Sequence, residues 1–127
     1  MPDPVQTVAP VVKATHVKAL MIELRRSGRW LTRRALAALI GDATPSWERR
    51  VRAIASVAAP AVLSYPGAPG YIAIEKATDE EIEHGINALR AQGSDMCKRA
   101  DLYEVALNQR RLARTAKPVQ AELQLST

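Results

Sequence analysis

Aromatic residues are scarce in this sequence. They make up 4% of its 127 residues, and phenylalanine is absent altogether. Alanine, valine, leucine and isoleucine therefore supply most of the 47% hydrophobic content, which is a level typical of globular proteins. Such a composition suits closely packed helices better than an all-β sandwich. The length allows one compact domain with tails and leaves no room for a second full core.

Paired cysteines and long apolar runs are also missing. Cys97 is the single cysteine and cannot form an internal disulfide. No stretch approaches the roughly 18 uncharged apolar residues of a membrane-spanning helix. The opening residues, MPDPVQTVAPVV, lack the basic region that precedes the apolar run of a secretory signal. We therefore expect a cytoplasmic protein without a membrane partner.

No pattern typical of an active site or a metal centre occurs. His16 and His84 do not lie at metal-ligand spacing from each other or from Cys97. The acidic cluster at residues 79–83 is explained by the first turn of a helix, where carboxylates favour the helix dipole. No nucleophilic triad, glycine-rich phosphate loop or paired-carboxylate arrangement is present. We predict a non-enzymatic protein with no catalytic residues, no metal and no cofactor.

Positive charge is distributed unevenly along the chain. Eighteen lysines and arginines stand against 13 aspartates and glutamates, which gives a net charge of +5. Residues 1–60 carry 10 basic and 4 acidic side chains, whereas residues 78–92 carry one basic and four acidic ones. The usual partner of such a basic front half is a polyanion, most often nucleic acid.

Apolar spacing predicts three short helices in this front half. They cover residues 15–27, 33–40 and 45–58. Each begins at or just after a threonine that can cap a helix N-terminus, namely Thr15, Thr32 and Thr44. Gly28 is expected to end the first helix in a left-handed conformation. Residues 29–31 form an extended lead-in to the second.

The third helix has two unlike faces. One stripe, predicted to face the core, consists of Trp47, Val51, Ile54 and Ala58. The opposite face is small, polar and cationic, and its residues are Ser46, Arg49, Arg50, Arg52, Ala53 and Ser56. Such an exposed surface is slim enough to enter a groove.

A β-hairpin is predicted after the third helix. Two runs of β-branched and aromatic residues, 62–65 and 71–75, surround a turn rich in proline and glycine. Ile72 and Ile74 are expected to share one face of the second strand.

Thr78 is predicted to cap one last, long helix. Its apolar positions alternate by four and three residues over 82–107, which is a heptad stripe with a weak centre. Gly93 marks the place where this helix could bend or break. The second half of the stripe, around Tyr103 and Leu107, could pair with another copy, so that residues 82–107 are a candidate homodimer seam.

This order of elements resembles a winged helix-turn-helix domain. The resemblance is carried by LTRRALAALIGDATPSWERRVRAIASVAAPAVLSYPGAPGYIAI, and the first helix extends it to residues 15–77. The hairpin with its Gly70-Tyr71 pair, followed by TDEEIEHGINALRAQGSDMCKRADLYEVAL, is similar to small winged-helix proteins of phages and prophages. The resemblance implies a mostly α-helical fold with a small β-hairpin. It divides the chain into a flexible arm (1–14), the winged helix-turn-helix domain (15–77), a C-terminal helical extension (78–114) and a flexible tail (115–127).

The same resemblance implies double-stranded DNA as the partner and phage-type control of transcription or replication as the function. Helix 45–58 would enter the major groove. Its contact positions would be Ser46, Arg49, Arg50, Arg52, Ala53 and Ser56. Phosphates would be held by Thr32, Arg33 and Arg34 at the start of the second helix, and by Arg25, Arg26 and Arg29.

A second class of function stays open at this point. No lysine or arginine lies between Arg52 and Lys76, so the hairpin turn offers no cation to a phosphate. The chain could therefore be an adaptor or inhibitor that uses a winged-helix scaffold to bind a phage or host protein. The cationic third helix favours DNA instead.

Overall fold

A computed structural model describes the backbone of residues 12–125 and the side chains of residues 12–93 and 96–115. This part of the chain is mostly α-helical, with a small antiparallel sheet and a long C-terminal helix. None of its helices is long and apolar enough to cross a membrane. The chain divides into two compact units, Met1–Ala77 and Thr78–Thr127. The expected arm lies outside the described residues, apart from its last three positions.

Eight elements follow one another in residues 12–125. They are α1 (Ala14–Ser27), α2 (Arg33–Ile40), α3 (Pro45–Ala58), β1 (Val62–Leu63), β2 (Ile72–Ala73), a 3-10 turn (Ile74–Lys76), α4 (Asp79–Arg90) and α5 (Ser94–Leu125).

Threonine hydroxyls fix the starts of three helices, as the sequence predicts. Thr32 Oγ1 accepts a hydrogen bond from the Ala35 N–H at 3.1 Å and caps α2. Thr44 Oγ1 accepts from the Trp47 N–H at 3.2 Å and caps α3. These bonds satisfy backbone donors that the first turn of a helix leaves unpaired.

Helix α4 has the strongest of these starts. Thr78 Oγ1 accepts from the Glu81 N–H at 3.1 Å, and Glu81 Oε1 accepts from the Thr78 N–H at 2.8 Å. The two bonds form a reciprocal capping box.

The start of α1 differs from the prediction. Thr15 lies inside the helix, which begins at Ala14 after Lys13 and has no side-chain cap. Val12 packs against the core, and this contact carries the ordered chain further toward the N-terminus than a cap at Thr15 would. The predicted end is confirmed, because Gly28 adopts φ 67° and its N–H donates to the Leu24 carbonyl.

The core of the first unit lies between α1, α2, α3 and the hairpin. Its fully buried side chains include Leu20, Leu24, Leu36, Val51 and Ile54. Burial of such a side chain contributes about 1.5–3 kcal/mol, so these residues hold the three helices together. The predicted core stripe of α3 is confirmed, since Trp47 and Ala58 also pack against this cluster.

The hairpin is tied to the segment before α2. Leu31 and Tyr71 exchange two backbone hydrogen bonds of 2.8 Å and form an isolated antiparallel bridge. Gly70 passes so close to the Leu31 carbonyl that a Cβ atom there would overlap it. Ser64 Oγ donates to the Gly70 carbonyl at 2.9 Å. The lead-in, the hairpin and its turn therefore form one hydrogen-bonded assembly.

The strands are shorter than predicted. Val62 pairs with Ala73 and Leu63 with Ile72, and the chain then enters a 3-10 turn. The prediction that Ile74 continues the strand on the face of Ile72 is therefore wrong. The Ile74 N–H still donates to the Ala61 carbonyl at 2.9 Å, but its own carbonyl accepts from Ala77 because the backbone already bends toward α4.

The second unit is a helical hairpin rather than one long helix. The chain leaves helical geometry between Arg90 and Ser94, where Gly93 has φ 123°. The heptad stripe folds back on itself because its two halves pack as α4 against α5. Its buried members are Ile82, Ile86, Leu89, Ala100, Tyr103 and Leu107.

This packing changes two expectations. Tyr103 and Leu107 are buried within the chain, at 1% and 2% exposure. The seam predicted for a second copy is therefore occupied by the protein's own helix. Helix α5 also extends to Leu125, past residue 114, whereas the sequence predicts a flexible tail from residue 115.

Ion pairs join α4 and α5 at both ends of the hairpin. Near the loop, Arg90 lies 3.0 Å from Asp101 and 3.0 Å from Glu104. At the other end, Asp79 lies 2.7 Å from Arg114 and 3.4 Å from Arg110. The hydrogen bond from Arg114 holds the pKa of Asp79 below its ordinary value of 3.8, although partial desolvation opposes the shift.

Two glycine substitutions test the close approach at the hairpin. Gly67 and Gly70 both have positive φ, but only Gly70 lacks room for a Cβ atom. We expect Gly67→Ala to lower the free energy of unfolding by about 1 kcal/mol. Gly70→Ala should lower it by about 3 kcal/mol, because the Leu31 backbone has to move. Urea titrations followed by tryptophan fluorescence measure both, and equal losses would contradict the close approach.

The pKa of Asp79 predicts a pH-dependent stability. A depressed folded pKa adds stability above pH 3.8 that is lost as the pH falls through the folded value. Asp79→Asn should therefore melt below the native protein near neutral pH, and the difference should shrink as the pH falls below 3.8. Glu80→Gln is the matched control, since it removes a carboxylate from the same helical turn. A melting difference for Asp79→Asn that does not change with pH would refute this.

Candidate nucleic-acid interface

Helix α3 presents the predicted cationic face to solvent. Ser46, Arg49, Arg50, Arg52 and Ser56 are exposed, and Ala53 is half-buried. The opposite side of the helix is anchored by Val51 and Ile54, which are at most 1% exposed. The cationic face is therefore held by a rigid core contact and not by a loop.

The three arginines of this face differ in their surroundings. Arg50 lies over the indole ring of Trp47, with its guanidinium carbon 5.0 Å from the ring centroid. Such a cation–π contact orients the guanidinium and contributes about 0.5–1 kcal/mol at an exposed site. Among the described residues, no carboxylate pairs with Arg49 or Arg52. These two are the α3 guanidiniums open to an external anion.

Trp47 is held on both sides. His16 from α1 contacts it edge-on, with ring centroids 5.6 Å apart. Gly41, between α2 and α3, lies so close to the indole that a Cβ atom there would overlap it. The position of Arg50 therefore depends on three separate segments of the first unit.

An ion pair links the start of α2 to α3. Arg33 lies 3.5 Å from Glu48, the only carboxylate within α3. Arg34 beside it is exposed and has no ionic partner among the described residues. Thr32 uses its hydroxyl as the helix cap, as the sequence predicts. The backbone N–H groups of Arg33 and Arg34 have no acceptor in the described part of the chain.

These groups line a polar cleft of about 370 Å³ between the α2 start and the hairpin turn. One wall carries Thr32, Arg33, Arg34 and Glu48. The other wall carries Ser64, Ala68, Pro69, Gly70 and Tyr71. The Leu31–Tyr71 bridge determines the width of the cleft, because it joins the lead-in of one wall directly to the other.

The arginines at the end of α1 are not equivalent. Arg25 Nε lies 2.7 Å from a Glu75 carboxylate oxygen, and Arg26 lies 3.9 Å from Glu23. The Arg29 side chain has no ionic partner among the described residues. Exposed ion pairs contribute only about 0–1 kcal/mol, so a phosphate could displace Glu75 from Arg25. Arg29 could bind a phosphate without displacing a carboxylate.

Two contacts that occupy arginines of this surface were not predicted from the sequence, an ion pair and a cation–π contact. Glu48 opposes Arg33 across two helices, and Trp47 carries Arg50. Only the contact between Trp47 and Arg50 could have been predicted from the sequence, because residues three apart on a helix are neighbours on its surface. The ion pair between Arg33 and Glu48 depends on how α2 packs against α3.

No protein-family model, curated protein or solved structure matches this chain.

Proposed function

We propose that the chain is a non-enzymatic protein that binds double-stranded DNA with α3, and that it regulates phage-type transcription or replication. The observation that carries this proposal is the exposed face of α3. It holds Arg49, Arg50 and Arg52 on a helix whose other side is buried. No carboxylate among the described residues pairs with any of the three.

Groove dimensions support α3 as the inserted element. The major groove is about 12 Å wide and admits one α-helix. Small residues, Ser46, Ala53 and Ser56, separate the arginines and leave the helix slim. Arg49 and Arg52 can each donate two hydrogen bonds to guanine or hold a phosphate. Arg50, which rests on Trp47, is oriented before binding.

The polar cleft supplies groups suited to the DNA backbone. Arg34 and the free N–H groups of Arg33 and Arg34 lie at the positive end of the α2 dipole. Arg26 and Arg29 extend the positive charge along the end of α1. Phosphate contacts of this kind orient a protein on the duplex without specifying its sequence.

A winged helix-turn-helix core is part of the same proposal. The Leu31–Tyr71 bridge adds a third extended segment to the two-stranded hairpin. An extended segment between α1 and α2, bridged to a hairpin after α3, is the arrangement that the sequence resemblance implies. The bridge therefore supports that arrangement independently of helix count.

One observation favours the adaptor alternative. The hairpin turn exposes Pro66, Gly67 and Pro69 and carries no charge. Such a surface suits a protein contact better than a phosphate contact. Under this alternative, partner binding would depend on the turn and not on the arginines of α3.

Replacing Arg49 and Arg52 with alanine tests the proposal. Affinity for a mixed-sequence duplex should fall about 10- to 100-fold, and the salt dependence should lose about two phosphate equivalents. Fluorescence anisotropy across about 50–200 mM salt measures both quantities. Neither residue faces the core, so thermal melting should not change.

Lys76→Ala/Lys98→Ala is the charge-matched control. It removes two exposed cations that lie on neither α2 nor α3, and its salt dependence should remain close to that of the native protein. Failure of the native protein to bind any duplex at the lowest salt would refute the proposal and turn attention to the hairpin turn.

Removing the α3 carboxylate should strengthen DNA binding. Glu48→Gln releases Arg33 and deletes the negative charge nearest the proposed interface. Affinity should rise about 3- to 10-fold, with about one further phosphate equivalent in the salt dependence. Glu104→Gln, which breaks an ion pair between α5 and Arg90 of α4, should change affinity less than about twofold. Unchanged or weaker binding by Glu48→Gln would mean that Arg33 does not contact DNA.

A further inference from the structure

Helix α5 has a second apolar stripe on its outer side. Leu102, Val105 and Leu112 are 46%, 55% and 68% exposed, whereas the inner stripe at Tyr103 and Leu107 is buried. The part of the chain that the structure describes exposes six large hydrophobic side chains, and three of them lie here.

The spacing of this outer stripe is that of a coiled-coil seam. Leu102, Val105, Gln109 and Leu112 are separated by three, four and three residues, so they occupy successive a and d positions of a heptad. A regular seam of this kind packs against another helix. Since α4 covers the inner stripe, the outer stripe needs a helix from elsewhere.

The charges of α5 do not point to a charged partner. Asp101 and Glu104 pair with Arg90 on α4. Farther along α5, three arginines pair with Asp79 and Glu83 of α4, namely Arg110, Arg111 and Arg114. Apart from Asp101, which pairs with Arg90, the residues beside the stripe are uncharged, namely Ala106, Asn108 and Ala113. Two such faces can meet without like-charge repulsion.

Gln109 identifies the partner. It is exposed, lies at a core position of the seam, and has no hydrogen-bond partner among the described residues. An apolar groove on an unrelated protein would bury its amide donor and acceptor unpaired, which is costly. A second Gln109 offers both a donor and an acceptor, so the amide is self-complementary.

We propose that the chain forms an isologous dimer in which the outer stripe of α5 packs on the same stripe of a second copy. The two copies of α5 run parallel and the two-fold axis runs along the seam, so each a or d residue faces its own copy and Gln109 hydrogen-bonds Gln109 of the partner subunit. This seam lies on the side of α5 opposite the one predicted from the sequence. It is short, so the dissociation constant is about 10–100 µM. The proposal does not depend on DNA binding.

Sedimentation equilibrium of the full chain without DNA tests the dimer. The native protein should pass from monomer to dimer with rising concentration. Val105→Glu/Leu112→Glu should weaken association at least about 100-fold, because it places four carboxylates at the seam. Its melting temperature should stay unchanged, since both positions are exposed. Ile22→Glu/Leu39→Glu, at two other exposed hydrophobic positions on α1 and α2, is the matched control and should dimerise normally.

Cysteine cross-linking tests the register. In a Cys97→Ala background, Gln109→Cys should form a disulfide-linked dimer on mild oxidation, because opposed core positions bring the Cα atoms within about 7 Å. Glu80→Cys, exposed on α4, should not. A native protein that stays monomeric at about 500 µM, well above the expected constant, would overturn the dimer. Dimers that survive the two glutamates would overturn the seam, and absence of the Gln109→Cys cross-link would overturn the axis.

Discussion

The backbone pairing of Leu31 with Tyr71 is the constraint on which the first unit depends. Two hydrogen bonds join residues that are 40 positions apart, and they do so next to a glycine that cannot carry a side chain. This bridge attaches the hairpin to the start of α2 and thereby shapes the polar cleft.

The two units differ in how many of their arginines have a carboxylate partner. In the second unit, Arg90, Arg110, Arg111 and Arg114 are all bound to carboxylates across the helical hairpin. In the first unit, Arg34, Arg49 and Arg52 have no such partner among the described residues. These four arginines of the second unit therefore pair within their own unit, whereas these three of the first unit remain open to an external anion. This difference, more than the net charge of +5, directs the proposed function to α3 and the start of α2.

The two proposals reinforce each other without depending on each other. A single α3 offers two free arginines to a duplex, which is a small contact for a sequence-specific protein. A two-fold dimer presents two copies of α3 and requires an inverted-repeat site. Because the α5 seam is short, DNA would act as a second connection between the copies, and dimerisation and DNA binding would then be linked by mass action.

Helix caps and helix ends could be predicted from the sequence, and they determine most of the helix boundaries. Thr32, Thr44 and Thr78 cap helices, Gly28 ends one, and the core stripe of α3 follows the helical period. These features depend on residues at most four or so positions apart. Only tertiary structure decided the rest. The heptad stripe closed on itself at Gly93 and not on a second chain, and Ile74 left its strand for a turn. Glu48 engaged Arg33 while Arg49 and Arg52 stayed free. A sequence period states which side of a helix is apolar, but which surface covers that side depends on packing between distant segments.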